Sequence, residues 1–333
     1  MSRNKRNAAA AEKEVKPSGS AAFQKRHQRR RGKLLILLGA FHKQLFLERQ
    51  VLLVKWMKRG KCELCHAVAN LRDSHYLPKS GYKKMRASDL KNPNPVVLSG
   101  GKAKQSSLQV RDYKFCGACE ERFNKGGEAW ILNKIPQNYG DPFWLHTLLN
   151  SKTPLVNGND LLFPQASIPE ADMAKLVYFA LSIFWRGTRR WSAVEGGQPA
   201  KLYLGRQEKA IRAFLLGRGK LPEDVIVTVA VWPHKKIYPM ALMPRADAGS
   251  GYRSYWFYFF GFIFLLALGR KIPPQQRRTC SYHSPEKFLT LSLGLGSLVK
   301  EAISTELLSL DRSKIEGMFK EIQAIRSKTS SKD

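Results

Sequence analysis

The chain has 333 residues, with 57 Lys and Arg against 26 Asp and Glu, giving a formal net charge of +31 and a pI near 10.1. A hydrophobic share of 43% excludes a chain disordered throughout and provides for a packed core. The charge excess has no role in a core; it points to polyanionic partners, with DNA and RNA both qualifying and an anionic membrane face behind them.

Residues 1 to 32 read as a disordered basic arm, Ala- and Ser-rich at first and then "KRHQRRRGK" from Lys25. A solvated tail and a phosphate-binding arm are both open for it, as is a translation start at Met57. The next stretch, 33 to 60, opens on "KLLILLGAF", but it lacks the small-residue cleavage site of a signal peptide. Its apolar residues continue through Leu45, Phe46, Val51 and Trp56 among charged ones, so the pattern predicts an amphipathic helix and linker.

Residues 61 to 141 are polar, rich in Gly and Lys, and carry two Cys-x-x-Cys pairs, Cys62/Cys65 and Cys116/Cys119. Four thiolates in two knuckles fill a tetrahedral site and leave no open position, so a single structural Zn2+ is expected. Thiolate metal sites belong to reducing compartments, which predicts a cytoplasmic protein. The small domain depends on metal more than on apolar burial, and it should unfold without it. Cys280, alone far downstream, reads as an ordinary partly buried thiol, and His66 as a surface residue.

Between the knuckles, "LRDSHYLPK" predicts a strand presenting His75, which also reads as a hydrogen-bonded strand histidine buttressing the knuckle, and "SGYKKMR" follows. Lys79, Tyr82, Lys83, Lys84 and Arg86 are the expected contacts to a nucleic-acid backbone. The second knuckle, "FCGACEERFNKGGEAWILNKI", runs into helical text, where a helix entrance favours the thiolates and Glu120.

The order of knuckle, strand histidine, long insertion and knuckle at a helix start resembles the zinc-bearing HNH endonucleases. The wording "SH-x-x-PK" followed by "C-x-x-CE-x-RF-x-K-x-x-E" is similar to a bacterial subgroup of them. The resemblance covers about residues 60 to 130. It implies a ββα, treble-clef domain in which the four cysteines hold zinc, His75 is the general base and a second ion, Mg2+ or Mn2+, assists cleavage of DNA. Glu120, Asp112 and Glu128 are the candidate oxygen ligands for that ion, Glu128 also reading as a solvated helix residue.

The departures from the family pattern are specific. Ser74 stands where an aspartate usually precedes the histidine, with Asp73 one step back. Glu120 stands where a histidine follows the last cysteine, and Arg111 beside Asp112 where an asparagine is usual. The alternative is a zinc-stabilised nucleic-acid-binding protein that does not cut; membrane-surface association through the basic arm is a third reading.

A looser stretch, "NSKTPLVNGNDLLFPQASIPE", predicts a boundary, followed by a larger α+β domain over 165 to 326. Met173, Leu176, Val177, Ala180, Leu181 and Phe184 fall at helical spacing in a helix that Trp185 and Arg186 finish, and a second helix ends near a Gly-rich stop at 217 to 219. "DVIVTVAVW", "IYPMALMP" and the aromatic run Tyr255 to Leu268 predict an antiparallel meander with the helices on one face. That last run is shorter than the roughly 20 residues of a spanning helix and reads as one buried strand, so no stable membrane insertion is expected. A polar helix over 298 to 326 closes the chain.

Overall fold

The computed structural model describes residues 58–86, 94–99, 102–136, 141–192, 199–234, 237, 239–247 and 251–308. The basic arm, nearly all of the helix expected over 33 to 60, and the end of the helix expected to reach 326 lie outside the described residues.

The first cysteine pair is the turn of a hairpin between β1 (Arg59–Lys61) and β2 (Val68–His75). His66 takes a left-handed φ of 66° to close it, while its amide donates to the Cys62 carbonyl at 2.9 Å. After α1 (Lys79–Lys84) and the small hairpin of β3 (Val96–Ser99) and β4 (Lys102–Gln105), strand β5 (Arg111–Cys116) pairs antiparallel with β2. Cys116 ends β5 and is also the N-cap of α2 (Gly117–Phe123), so strand and helix meet at the second knuckle.

A five-residue π turn, Asn124–Glu128, joins α2 to α3 (Ala129–Lys134). Here two glycines are sterically required. A Cβ on Gly127 would lie 2.4 Å from the Lys175 carbonyl, and one on Gly126 would lie 2.1 Å from the Tyr178 ring. The bare backbone lets this turn press onto α5 (Met173–Arg186), which is capped by the Asp172 carboxylate at 3.0 Å from the Lys175 amide.

The stretch read as a linker is structured. After α4 (Trp144–Asn150), it forms a hairpin of β6 (Leu155–Asn157) and β7 (Asp160–Phe163), turned at Gly158 with φ 64°. That hairpin is one edge of a seven-stranded sheet. The other strands are β8 (Val225–Val231), β9 (Ala241–Ala246), β10 (Arg253–Phe259), β11 (Phe262–Leu268) and β12 (Leu289–Ser292), in spatial order β6-β7-β12-β8-β11-β10-β9.

This differs from a plain antiparallel meander in two ways. After β8 the chain crosses to the far edge and returns through β9, β10 and β11, and β12 joins β8 in parallel. The aromatic run over 255 to 268 is also two strands rather than one. Phe260 and Gly261, at φ 48° and 93°, supply the paired positive angles of a tight hairpin turn that suits the sheet twist. All seven residues of β8 and of β11 are buried, which is why both read as unbroken apolar text.

Helix α5 is buried on nearly every side and lies against β8, β11 and the π turn. Helix α6 (Gln207–Leu215) packs beside it. The opposite sheet face carries a smaller cluster of Ile226, Ala267, Ile272 and Cys280 near α7 (Pro274–Arg278), with Cys280 fully buried. The last described helix is α8 (Leu293–Leu308).

One buried cluster runs from Cys62 and Phe115 through Phe179 and Trp185 to Phe257 and Leu289, across the expected boundary between 141 and 165. Gly81 in α1 illustrates the join: its α-carbon is close enough to Phe259 that an added Cβ would sit 3.0 Å from the ring. The knuckle segment and the large sheet therefore belong to one hydrophobic core. Among the described residues, no helix is long and apolar enough to cross a membrane.

Candidate metal centre and the histidine strand

Folding brings together two sequence-distant pairs of thiols. Cys62 and Cys65 come from the β1–β2 turn, Cys116 from the end of β5 and Cys119 from the first turn of α2, and all four sulfurs lie within 4.8 Å of one another. Cys65 and Cys116, 51 positions apart in sequence, have sulfurs 3.8 Å apart. Cys62, Cys116 and Cys119 are buried and Cys65 is partly so.

The surroundings favour thiolate at one member of the set. Hydrogen bonding from the Cys119 thiol, joined by the amides of Cys65, Cys116 and Leu64, draws Cys62 down to about 4 against the opposing effect of burial. Cys119, as donor in that bond and buried itself, is pushed well above its ordinary range. A metal ion would replace these shared protons. Four soft sulfurs at this spacing, with no fifth donor among them, fit a closed tetrahedral site.

The chain matches no family model, no curated protein and no solved structure. The site is therefore read from its own chemistry.

His75 is the last residue of β2 and is half buried. Burial holds its imidazole below the ordinary histidine range, with Lys79 and Arg111 acting the same way and Asp73 and Gln109 opposing. Strand register decides what it can reach. His75 pairs with Arg111 and Ser74 pairs with Asp112, so His75 and Asp112 project from opposite faces of the ribbon. On the His75 side, the Asp73 carboxylate is held by Arg111 at 2.7 Å.

Asp112 caps its own strand by accepting from the Tyr113 amide at 2.7 Å and lies 3.5 Å from the Lys114 ammonium, which also binds Glu63 at 3.0 Å. Glu120 points inward, beside Ser74, Arg186 and Glu128. Burial raises its carboxyl above the ordinary range, although Arg186 and the Ser74 hydroxyl pull the other way. Its Oε1 is buried without a hydrogen-bond partner. Among the described residues, the four cysteines are the group of three or more His, Cys, Asp or Glu side chains close enough to share an ion. His75, Asp112 and Glu120 are not brought into such a group.

Glu128 is not on a solvated helix face. It is buried, and its carboxylate takes a 2.5 Å bond from Arg186, whose other terminal nitrogen donates to the Tyr76 carbonyl at 3.1 Å. The Arg186 guanidinium lies 4.2 Å from the Phe123 ring centroid. The sequence signal for this pair is the Gly126-Gly127 step, which marks a close approach of two backbones just before the acid.

Of the residues expected at the nucleic acid, Lys79, Lys83 and Arg86 are exposed on or next to α1 and Lys84 is half buried. Tyr82 turns inward instead: it packs on the core, its ring centroid is 6.4 Å from His75, and burial pushes its hydroxyl up to about 12. A six-residue helix cannot present consecutive residues on one side, and Tyr82 took the apolar one.

A pH prediction follows from His75. Its folded pKa lies below the unfolded one, so the stability it contributes is complete above the ordinary histidine value and is lost as pH falls through the folded value. His75→Gln should reduce the acid-side loss of melting temperature below about pH 6.5 and change little near pH 8. Thermal melts of both proteins over that range check it; superimposable pH profiles contradict it.

Proposed function

We propose that this chain is a nucleic-acid-binding protein whose ββα, treble-clef-like segment is stapled by one structural zinc and does not cleave phosphodiester bonds. The observation that carries the reading is the separation of His75 from Asp112 and Glu120. Hydrolysis of the HNH type needs a neutral imidazole and an ion with open positions at one phosphodiester. The imidazole is available, but the nearest carboxylate on its face, Asp73, is engaged by Arg111. Asp112 serves a strand end and a lysine, and Glu120 faces the interior.

The binding half of the proposal rests on charge. Arg59, Lys61, Arg72, Lys79, Lys83 and Arg86 lie on the knuckle segment, most of them exposed, in a chain whose net charge is +31. Such a surface neutralises phosphates and releases counterions, so affinity should fall with log salt at about −0.9 per neutralised phosphate on duplex DNA. Four thiols, none in a disulfide, suit the reducing cytoplasm.

The test is a binding and nicking assay on one preparation of full-length protein. Salt-dependent binding to DNA is expected, with no nicking in magnesium, manganese or nickel, and with zinc content and affinity nearly unchanged in His75→Ala. Divalent-ion-dependent nicking that His75→Ala abolishes would overturn the non-catalytic reading and make His75 a general base.

A further inference from the structure

A second cationic surface, sharing no lining residue with the cysteine site, lies where the loop before α6 meets the ends of β10 and β11 and helix α7. Two adjoining hollows of about 600 and 480 Å³ open there and share Arg206, Gln207 and Arg270. Arg277 completes the first hollow, and Tyr203, Arg253 and Lys271 the second.

Its charges are unevenly compensated. Arg206 is paired with Asp224 at 2.7 Å, and Gln207 donates to the same carboxylate at 3.0 Å. None of Arg253, Arg270, Lys271 and Arg277 is ion-paired to a described carboxylate, and Glu223 is the other acid on the lining. Arg277 is held by carbonyls instead: its Nε donates to Ile272, one terminal nitrogen to Glu223 and the other to Arg270, at 3.1 to 3.2 Å. That leaves one N–H on each terminal nitrogen for a ligand and keeps a full positive charge fixed at the wall.

An aromatic side chain is held open beside it. Tyr203 is 70% exposed, unusual for a tyrosine whose backbone is pinned on both sides. The Tyr255 hydroxyl donates to its carbonyl at 2.6 Å and accepts from its amide at 3.3 Å. The Arg253 guanidinium lies 4.9 Å from the Tyr203 ring centroid. Gly205, at φ 62°, makes room for it, since a Cβ there would be 2.6 Å from Arg253 Nη1. Unpaired cations, one of them fixed by three carbonyls, next to an exposed ring offer what successive phosphates and an unstacked base require, and a duplex offers no free base face.

We infer that this cleft binds single-stranded nucleic acid, with Arg253, Arg270 and Arg277 receiving phosphates and Tyr203 stacking a base. The inference rests on the nucleic-acid reading above and names a different surface for it. The experiment measures binding of full-length protein to oligothymidylate, to oligouridylate and to a DNA duplex of equal length, each across a salt series. Tyr203→Ala should weaken binding to the single strands roughly five- to hundredfold and leave the duplex unaffected. The double variant Arg253→Glu, Arg270→Glu should lower the single-strand salt slope by about 0.7 for each phosphate no longer neutralised. The side chains of Tyr203, Arg253 and Arg270 are exposed, so melting temperatures should stay at the wild-type value. Wild-type single-strand affinity in both variants overturns the cleft while leaving nucleic-acid binding through Lys79, Lys83 and Arg86 intact. Equal losses on strand and duplex overturn the single-strand assignment, and a wild-type protein that binds no nucleic acid overturns both readings.

Discussion

Stripping the metal from purified protein should unfold the whole buried cluster, from Cys62 to Ala302, as one unit, rather than loosen only the segment between the cysteines. Cys62, Cys116 and Cys119 are part of the same buried cluster as Phe115, Phe123 and Trp185, and Phe115 and Trp185 have ring centroids 5.9 Å apart. Without an ion, the thiols must share protons in a space that burial makes hostile to more than one thiolate. Structural zinc in zinc-finger peptides contributes about 10 to 16 kcal/mol of binding energy, as large as the whole net stability of a domain at about 5 to 15 kcal/mol. Elemental analysis should find one zinc per chain, and a strong chelator or Cys119→Ser should abolish the cooperative melt. A metal-free protein melting at the holoprotein's temperature would remove the metal from the account of stability.

Arg186→Met should cost about 3 to 5 kcal/mol in urea unfolding. It leaves the Glu128 carboxylate buried with no counter-charge, deprives the Tyr76 carbonyl of its donor and removes the cation over Phe123. It also removes the positive charge that restrains the Glu120 carboxyl, so Glu120 should protonate at higher pH still. The pair is worth less than its breakage costs, because both ions were desolvated to form it. Arg186→Met combined with Glu128→Leu should therefore recover most of the stability. If the double variant is as unstable as the sum of the two singles, the ion pair is not the coupling element, and the contact of the Arg186 guanidinium with the Phe115 and Phe123 rings takes its place.

The lesson of the aromatic run from Tyr255 to Leu268 concerns what apolar text conceals. Strands buried on both faces lose the alternation that marks their ends, so a hairpin reads like one long strand unless the turn is recognised. Gly261 carried that signal, and an aromatic on each side of it masked the turn. The "VNGND" segment misleads in the other direction: its turn residues are legible, but strands as short as Leu155–Asn157 and Asp160–Phe163 carry too little periodicity to separate from a linker.

The spacing of the cysteines determined the metal set by itself, because two Cys-x-x-Cys turns can each offer only two converging sulfurs and need one another to close a site. Local periodicity likewise determined α5 and β8, since the 3.6-residue stripe and the β-branched run report on backbone geometry within a few residues. The tertiary structure alone decided which charges meet. Arg186 and Glu128 are 58 positions apart, and Arg253 reaches the Tyr203 ring only because β10 passes the loop before α6. His75 and Asp112 are separated for the same reason, by the register of β2 on β5. Neither strand's own sequence states that register; it is set by which faces of the pair are buried against the rest of the core.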